Sequence, residues 1–386
     1  MSPALRHVRV LDLSRLLPGP FATLVLADLG ARVDKVEDVG GGDYLRHMPP
    51  LVDGTSAFFL SLNRNKRSIC LDLKQPEGKA ALAALLPFYD VVIDQFRPGV
   101  MDRLGLSHAQ MLAIHPALIV CALTGYGQGG PLASRAGHDL NYLARSGVLG
   151  TQGPAGSAPQ PPGFQLADVS GGLYAVIAIQ AALAERERTK RGAIVDISMV
   201  ESSMGFALLQ LAPALFGVGV ARGDEPLSGG LAAYGVYATR DGKFVALGAL
   251  EPKFWMAFAL GAGLEADMSG IVPGPHQPAL KARLADIFAG RTRDEWAAFG
   301  RERDCCLEPV LEPHELRADP HLTARGAFFD IATARGPLPQ FALPVTDRDA
   351  AHSPPPDQGE HTDAILREAG FDDARIAALR ATGAVR

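Results

Sequence analysis

The first half of the chain alternates between short apolar runs and longer stretches in which apolar residues recur at helical spacing. The short runs predict strands at 8–13, 32–37, 67–73, 90–94, 117–123 and 193–199. The stretches between them predict helices at 21–29, 76–88, 106–115, 169–185 and 200–216. Strands that alternate with helices are typical of βαβ units, so this half predicts an α/β fold with a Rossmann-like, mainly parallel sheet.

The pattern changes in the second half of the chain. Two apolar runs, 234–239 and 244–250, flank Asp241-Gly242, and this dipeptide is a strong hairpin signal. Helical spacing then recurs at 252–264, 277–289 and 292–303. We therefore expect three regions, namely a large Rossmann-like domain at 1–224, a smaller α+β domain at 225–330, and a C-terminal tail at 331–386 that returns to the large domain.

Length, charge and cysteine content narrow the class of protein. A chain of 386 residues exceeds one ordinary core, and a net charge of −5 argues against a general nucleic-acid binder. The four cysteines lack CxxC spacing, so neither a disulfide framework nor a zinc site is expected. The first residues lack the layout of a signal peptide, and the apolar run 21–29 is too short to span a membrane. We expect a cytoplasmic protein with neither nucleic acid nor membrane as a partner.

The first strand, turn and helix have the layout of a dinucleotide-binding unit. The turn at 14–20 lacks GxGxxG, the glycine pattern that lets the backbone approach a pyrophosphate. The sequence therefore favours a Rossmann-like scaffold without a dinucleotide. It also lacks the Walker P-loop, HExxH and GxSxG motifs, which leaves NTPase, zinc-protease and α/β-hydrolase functions without support.

Candidate catalytic residues concentrate at three places. His138 lies in the glycine-flanked loop Gly137-His138-Asp139-Leu140-Asn141-Tyr142, and Asp168 directly precedes a long apolar helix. Glu251 lies between an apolar strand and a helix start. Each has an ordinary alternative, because Asp168 is a good helix N-cap, His138 suits any loop, and an acid at Glu251 suits the helix dipole. The residue types alone leave these alternatives open.

These residues belong to a longer series of motifs. In chain order the series comprises Leu17-Pro18-Gly19-Pro20-Phe21, Ala27-Asp28-Leu29-Gly30-Ala31-Arg32-Val33, Asn65-Lys66-Arg67-Ser68, Leu71-Asp72-Leu73-Lys74, Phe96-Arg97-Pro98-Gly99-Val100-Met101, the loop 137–142, Ala167-Asp168, Gly248-Ala249-Leu250-Glu251-Pro252 and Gly359-Glu360-His361-Thr362. In order and spacing the series resembles the class III CoA-transferase family, and within it the α-methylacyl-CoA racemase branch. The resemblance covers nearly the whole chain.

The resemblance implies a reaction and an assembly. His138 and Asp168 match the two catalytic acid/base residues of the racemases, and Glu251 matches an acid that orients the histidine. The implied reaction is racemisation of 2-methylacyl-CoA thioesters through an enolate, whose oxygen we expect backbone N–H groups at the Val169 helix start to hold. The implied assembly is an interlocked homodimer. The implied ligand is an acyl-CoA, with no metal and no cofactor beyond the CoA moiety.

Other members of the family transfer CoA between carboxylic acids. In that chemistry Asp168 attacks the thioester to form a mixed anhydride and then an aspartyl-CoA thioester, while His138 only orients. Formyl-CoA transferases match at Asp168 but usually lack the histidine, so His138 and Glu251 favour the racemase. A third hypothesis, an inert CoA-binding scaffold, conflicts with the intact set of three residues.

Basic residues are the expected contacts for the phosphates of CoA. Arg64, Lys66 and Arg67 precede a strand, and Arg97 follows another strand, at the edge where α/β folds bind ligands. A solvated basic surface is the alternative interpretation, and the resemblance favours phosphate contact for Arg64 and Arg97. Two further contacts, with the pantetheine or adenosine part, are expected from Asp139 and Tyr142.

Three features depart from the racemase pattern. Asp38 stands near the end of the second strand, where racemases commonly have an arginine for the adenosine phosphates. Phe164 replaces an asparagine four residues before Asp168, and the segment 41–59 is longer than in racemases. The first departure removes one phosphate contact, and the second changes how the acyl group or thioester is held.

Overall fold

A computed structural model describes residues 4–265 and 267–386 of the protein. These residues form two compact units. The larger unit comprises the residues up to Ser146, Phe164–Phe206 and Pro320–Arg386, and the smaller unit comprises Gly147–Gly163 and Ala207–Asp319. Neither unit is therefore a single continuous stretch of the chain.

The larger unit is built on a six-stranded parallel sheet. Its strand order is β5-β2-β1-β6-β7-β8, which is the order of a doubly wound Rossmann sheet with its switch point between β1 and β6. The α/β prediction is confirmed. The strands of the chain are β1 (Arg9–Asp12), β2 (Arg32–Glu37), β3 (Leu51–Val52), β4 (Thr55–Ser56), β5 (Lys66–Cys70), β6 (Val91–Asp94), β7 (Ile119–Thr124), β8 (Ala193–Ser198), β9 (Tyr234–Ala238), β10 (Phe244–Gly248), β11 (Leu307–Pro309), β12 (Phe328–Thr333) and β13 (Gly336–Phe341).

The first helix shows how the sequence sets a helix boundary. Helix α1 begins at Pro18, earlier than the predicted start at 21, because proline has no N–H and so suits the first turn. The helices are α1 (Pro18–Asp28), α2 (Ala57–Leu62), α3 (Pro76–Leu85), α4 (Val100–Arg103), α5 (His108–Ile114), α6 (Asp139–Arg145), α7 (Leu166–Thr189), α8 (Met199–Phe206), α9 (Leu208–Leu215), α10 (Pro252–Gly261), α11 (Gln277–Phe288), α12 (Arg293–Arg303), α13 (Pro320–Ala324), α14 (Thr362–Glu368) and α15 (Asp373–Ala381).

Helix α7 is the long helix of the larger unit. It begins at Leu166, earlier than the predicted 169, and this places Asp168 in its first turn instead of at the N-cap. A Cβ at Gly172 would lie 2.7 Å from the carbonyl oxygen of Pro18, so glycine allows α7 and α1 to approach closely. Among the described residues, only α7 is long and apolar enough to cross a membrane. Because it packs against α1 and the sheet, we interpret it as a core helix.

The smaller unit contains an antiparallel sheet of order β11-β10-β9. The predicted hairpin is present, with Phe244 paired to Ala238 on either side of Asp241-Gly242. Aromatic side chains from α10, α11 and α12 pack together beside this sheet, with ring centroids of Phe288 and Trp296 separated by 4.8 Å. This unit has its own hydrophobic core.

The boundaries of the smaller unit differ from the expected 225–330. The predicted helix at 200–216 is two helices, α8 and α9, which are interrupted at Ala207, and the smaller unit begins there. The loop 147–163 also belongs to this unit, since the Arg222 guanidinium donates to the carbonyl oxygens of Gly150 and Ser157. Such long-range hydrogen bonds leave no periodic signal in the sequence.

The residues after 320 complete the larger unit. The antiparallel pair β12–β13, which the sequence analysis does not predict, lies in this segment. Ile365 and Leu366 of α14 are buried in the core that also contains Leu71, and Val385 forms an isolated bridge with Leu71. The core beneath β5 is therefore built from residues at both ends of the chain.

A network of buried ion pairs lies beneath the loop that follows β1. The Asp12 carboxylate accepts hydrogen bonds from the Ser14 N–H at 2.9 Å and from the Thr23 hydroxyl at 2.6 Å. Lys35 Nζ lies 2.8 Å from Asp43 Oδ2 and donates to the Ser14 carbonyl oxygen. Burial would raise the pKa of Asp12, but the charges of Lys35 and Lys66 outweigh burial and hold it below its usual value. The network fixes the course of this loop.

A second buried pair joins α1 to the segment before β5. The Arg64 side chain is fully buried and donates to Asp28 through Nε at 3.1 Å and Nη2 at 2.5 Å. Its Nη1 donates to Gln340 Oε1 at 3.0 Å. This guanidinium therefore holds together α1, the segment before β5 and β13.

Replacement of Arg64 should destabilise the protein. Arg64→Ala leaves the buried Asp28 carboxylate without its cation, so we expect a loss of about 3–5 kcal/mol in the free energy of unfolding. Urea unfolding followed by circular dichroism measures this loss. Arg188→Ala, which removes an exposed pair with Glu185, is the control and should cost less than about 1 kcal/mol. Equal small effects of both substitutions would contradict a structural role for Arg64.

Candidate active site

The candidate site lies at the carboxyl edge of the parallel sheet. In open α/β sheets this edge binds ligands at the point where the strand order reverses, which here lies between β1 and β6. Two cavities lie at this edge, and the loops that follow β1 and β6 contribute to both. A ligand that occupies both cavities would therefore cross the switch point.

The two cavities differ in their residues. The first, which we call the β2 cavity, has a volume of about 220 Å³ and is lined by the loops after β1, β2, β5 and β6, including Arg15, Asp38, Lys74 and Phe96. The second, the β7 cavity, has a volume of about 170 Å³ and is lined by Arg97, Thr124, His138, Tyr142 and Asp168. The structure thus brings His138 and Asp168 into one cavity.

Burial, together with the nearby Asp139 charge, raises the pKa of the Asp168 carboxyl from 3.8 to about 7. The dipole of α7 favours the ionised form, but it contributes at most about 2 kcal/mol, or about 1.5 pKa units, which is less than this rise. Burial therefore decides the net direction. Asp168 is able to exchange a proton near neutral pH.

His138 precedes α6 and is exposed at the β7 cavity. Its backbone N–H donates to Asn141 Oδ1 at 3.0 Å, and His138 and Asn141 form the capping box of α6. Asn141 thus fixes the backbone of the histidine at the β7 cavity. Imidazole is the commonest general acid or base in enzymes.

The Asp139 carboxylate serves as a cap for α7. Its Oδ1 accepts hydrogen bonds from the N–H groups of Ala167 at 2.7 Å and Asp168 at 3.2 Å. Burial raises the pKa of Asp139, and these two hydrogen bonds partly oppose that effect. Asp139 Oδ1 therefore positions Asp168, while the expected contact of Asp139 with CoA stays a prediction.

Tyr142 lines the same cavity as the two catalytic candidates. Its hydroxyl donates to the carbonyl oxygen of Gly137, and its ring packs edge-on against Tyr126 at a centroid distance of 5.2 Å. A Cβ at Gly125 or Gly137 would clash with this ring, so both positions require glycine. Burial, with the charge of Asp168, raises the pKa of the Tyr142 hydroxyl to about 12. We therefore revise the expected CoA contact of Tyr142 to a supporting role.

Two of the four basic residues expected to bind phosphate are buried. Arg64 is held by Asp28 and Gln340, and Lys66 Nζ donates to Pro20 O and Asn63 Oδ1, both at 2.9 Å. Burial lowers the pKa of Lys66 to about 7, which the charge of Asp12 partly offsets. Both side chains already satisfy buried acceptors, so we exclude them from the candidate CoA site.

The other two basic residues have different positions. Arg67 pairs with Asp34 at 2.7 Å and with Glu368 of α14 at 2.9 Å, so its charge anchors the C-terminal segment to β2 and β5. Arg97 is exposed at the β7 cavity, and its guanidinium makes no hydrogen bond within the described residues. Of the four residues, Arg97 alone keeps a free guanidinium at the carboxyl edge of the sheet.

Both cavities are also lined by cationic residues that the sequence did not identify as candidates. Arg15 lies between the rings of Tyr44 and Phe96, at 4.9 and 5.6 Å from their centroids, and Lys74 is exposed after β5. Arg135 lines the β7 cavity two residues before Gly137. In the sequence, these cations could have been recognised by their positions just after strands or just before the glycine-flanked loop.

The expected donors to an enolate oxygen at the start of α7 are already used. The Val169 N–H donates to Gln165 O at 3.0 Å, and the N–H groups of Ala167 and Asp168 donate to Asp139. By contrast, the Asp139 N–H, at the start of α6 and next to His138, has no acceptor among the described residues. The candidate donor to an enolate oxygen therefore lies at the start of α6 and not at the start of α7.

Glu251 and Phe164 lie outside the β7 cavity as described. Glu251 belongs to the smaller unit, where it precedes α10 and is exposed; its side chain does not cap that helix. Phe164, just before α7, is also exposed. The proposed action of Glu251 on His138 stays a prediction, and so does any effect of Phe164 on the acyl group.

The chain is similar to proteins of one known family. Residues 5–362 match the profile described as CoA-transferase family III. The chain is 38% identical to the α-methylacyl-CoA racemase of Mus musculus, over 97% of this chain and 96% of that protein. It is 31% identical to the succinyl-CoA:glutarate CoA-transferase of Homo sapiens, over 99% of this chain and 90% of that protein. Among solved structures, a CAIB/BAIF family protein from Brucella suis is 31% identical with a TM-score of 0.83, over 94% of this chain and 98% of that one.

The raised pKa of Asp168 predicts a pH-dependent stability difference. Since burial disfavours the carboxylate, the contribution of Asp168 to stability should fall as pH rises from 4 through 7, and Asp168→Asn removes this loss. Thermal unfolding should show that the melting temperature of the variant rises relative to that of the wild type as pH increases from 4 to 8. The expected rise is about 2–4 °C for each kcal/mol of stability gained. Asp102→Asn, an exposed change on α4, is the control, and its melting temperature should depend on pH as that of the wild type does. Parallel curves for Asp168→Asn would contradict the raised pKa.

Proposed function

Because this chain belongs to CoA-transferase family III, we propose that it is an acyl-CoA racemase that inverts the α-carbon of 2-methylacyl-CoA thioesters. One observation carries the proposal: the β7 cavity holds the exposed imidazole of His138 together with the carboxyl of Asp168, whose pKa burial raises to about 7. Racemisation needs one proton donor and one proton acceptor of this kind.

The two cavities suggest how the CoA part lies. We place the adenosine end in the β2 cavity and extend the pantetheine arm across the switch point, so that the thioester reaches the β7 cavity. Arg15, at the switch point, is suited to the diphosphate, because its planar guanidinium matches phosphate geometry. Arg97 and Arg135 offer further charge at the β7 cavity. The long shape of CoA fits an arrangement of two cavities along one sheet edge better than a single cavity.

The proposed reaction begins at the carbon next to the thioester. One of the two groups takes the α-proton; the electron pair of the broken C–H bond forms a C=C bond, and the π pair of the thioester C=O bond moves onto oxygen to give an enolate. The other group then gives a proton to the opposite face of that carbon; the π pair of the C=C bond forms the new C–H bond, and the oxygen pair re-forms the C=O bond. The two groups exchange roles for the opposite enantiomer, so each must gain and lose a proton near the working pH.

The enolate intermediate requires a hydrogen-bond donor at its oxygen. The Asp139 N–H, which lacks an acceptor and lies next to His138, is the proposed donor. The carboxylate of the same residue holds the first turn of α7 through Ala167 and Asp168. Asp139 thus connects the proposed enolate donor to the position of the acid/base carboxyl.

We further propose that the active form is the interlocked homodimer that the family resemblance implies. Glu251 would then orient His138 by accepting a hydrogen bond from one ring nitrogen, which leaves the other nitrogen for the substrate. The exposed carboxylate of Glu251, free of any capping hydrogen bond, is consistent with such a role.

Transfer of CoA between carboxylic acids is the second candidate function. Two observations favour this transferase function. One relative is a CoA-transferase, and the Asp168 carboxylate can act as a nucleophile. The transferase function gives no acid/base role to His138. The two functions therefore differ in what they require of the histidine.

Exchange with solvent deuterium tests the racemase directly. A stereodefined 2-methylacyl-CoA in D2O, without any acceptor acid, should incorporate deuterium at the α-carbon and lose its stereochemistry; NMR and chiral chromatography follow both. No exchange, together with CoA transfer to an added carboxylate, would instead establish the transferase. Hydroxylamine trapping at Asp168 during turnover is the independent readout for the acyl intermediate of that reaction.

Substitution of the histidine separates the two functions further. His138→Ala should reduce exchange by about 10²–10⁴-fold, because it removes one proton-transfer group. His321→Ala, an exposed histidine on α13, is the control and should keep wild-type exchange. Wild-type exchange by the His138 variant would contradict an acid/base role for this residue.

A further inference from the structure

We infer that Asp38 makes the ribose end of the β2 cavity selective for hydroxyl groups over phosphate, so that the 3′-phosphate of CoA contributes little to binding. The inference rests on the proposed function, because it assumes that a CoA thioester occupies the β2 cavity. It concerns a specificity-determining residue, and it predicts that thioesters of dephospho-CoA are accepted nearly as well as those of CoA.

The position of Asp38 in the sheet is the first argument. It directly follows β2, and in a doubly wound sheet of this strand order the residue after the second strand faces the ribose of a nucleotide bound at the edge. An acid at this place accepts hydrogen bonds from ribose hydroxyls, whereas an arginine accommodates a ribose phosphate. Asp38 lines the β2 cavity, as this position requires.

The availability of the Asp38 carboxylate is the second argument. Its Oδ1 accepts a hydrogen bond from the Gly40 N–H at 2.9 Å, and this contact fixes the side chain in the loop. Its other oxygen has no partner, and no cation pairs with it, among the residues that the structure describes. The side chain is exposed, so one acceptor oxygen remains for a ligand.

The neighbouring acids differ from Asp38 in this respect. Glu37 is buried and pairs with Arg46 through two hydrogen bonds of 2.6 and 2.7 Å. Asp43 pairs with Lys35 at 2.8 Å. Both carboxylates are therefore compensated by buried cations, while no ion pair compensates the charge of Asp38 within residues 4–265 and 267–386. Asp38 is the acid in this part of the cavity that a ligand would meet.

The cations of the β2 cavity follow other strands. Arg15 follows β1 at the switch point, and Lys74 follows β5. A phosphate ester at the ribose, which carries up to two negative charges, would meet a like charge at Asp38. A ribose hydroxyl donates to a carboxylate in a charge-assisted hydrogen bond. We therefore expect the 2′-hydroxyl to contact Asp38 and the 3′-phosphate to point toward solvent.

Calorimetry with free CoA and free dephospho-CoA tests this inference without relying on turnover. The wild type should bind the two with Kd values within about threefold of each other. Asp38→Arg should favour CoA by about tenfold or more relative to the wild type, because a guanidinium binds phosphate in place of repelling it. Asp38→Asn should shift the ratio in the same direction by a smaller factor.

Asp72→Asn is the matched control for charge. Asp72 lines the same cavity, but its oxygens already accept from the Lys74 N–H at 2.9 Å and from Gln75 Nε2 at 3.0 Å. Its removal changes the cavity charge by the same amount and should leave the ratio of the two Kd values within twofold of the wild type. An equal shift in both variants would assign the effect to overall charge and overturn the role of Asp38.

Other outcomes separate the inference from the proposed function. A wild-type preference for CoA above about tenfold that Lys74→Met abolishes would assign the 3′-phosphate to Lys74 and overturn the inference, while CoA binding itself would stand. Failure of the folded wild-type protein to bind either compound would overturn the proposed function instead. The dephospho-CoA thioester of a 2-methylacyl group, tested in the D2O exchange, should give kcat/KM within threefold of the CoA thioester.

Discussion

The buried ion pairs beneath the carboxyl edge of the sheet are the constraint on which the site depends. Asp12 and Lys35 hold the Ser14 backbone from two sides, and Asp43 Oδ1 accepts from the Leu16 N–H at 3.1 Å. Leu16 adopts a left-handed conformation with φ of 63°, which is costly for a leucine. Since this loop lines both cavities, the buried charges set the geometry of the switch point at which a CoA thioester would cross the sheet.

The residues around the site fall into two groups, those proposed for chemistry and those that position them. The groups proposed for chemistry, His138 and Asp168, contact the cavity, while the residues around them act on them: Asn141 on the histidine backbone, and Asp139 on the first turn of α7. Burial, not a nearby cation, decides the protonation of Asp168. A carboxyl in such a place is suited to proton transfer and, once ionised, to nucleophilic attack, so its position alone does not decide between the two proposed functions.

The sequence predicted the repeating elements well because the six strands of the parallel sheet are buried runs between helices. It placed Asp168 near the correct helix start, but not in the first turn, since the cap that begins α7 is the distant Asp139. It assigned Arg64 and Lys66 to phosphate because charge is visible in a sequence, whereas their buried partners Asp28 and Asn63 are not. The smaller unit was misplaced for the same reason, since hydrogen bonds from Arg222 recruit a loop some seventy residues earlier.

The interleaving of the two units also constrains the order in which the chain can fold during synthesis. The core beneath β5 remains open until Ile365, Leu366 and Val385 arrive, although β5 itself is made within the first seventy residues. The smaller unit contains a sheet and helices of its own, and it is complete before those residues emerge. Throughout this interval the apolar side of the first βαβ units faces solvent or a chaperone, so the earliest part of the enzyme to be synthesised is the last to become stable.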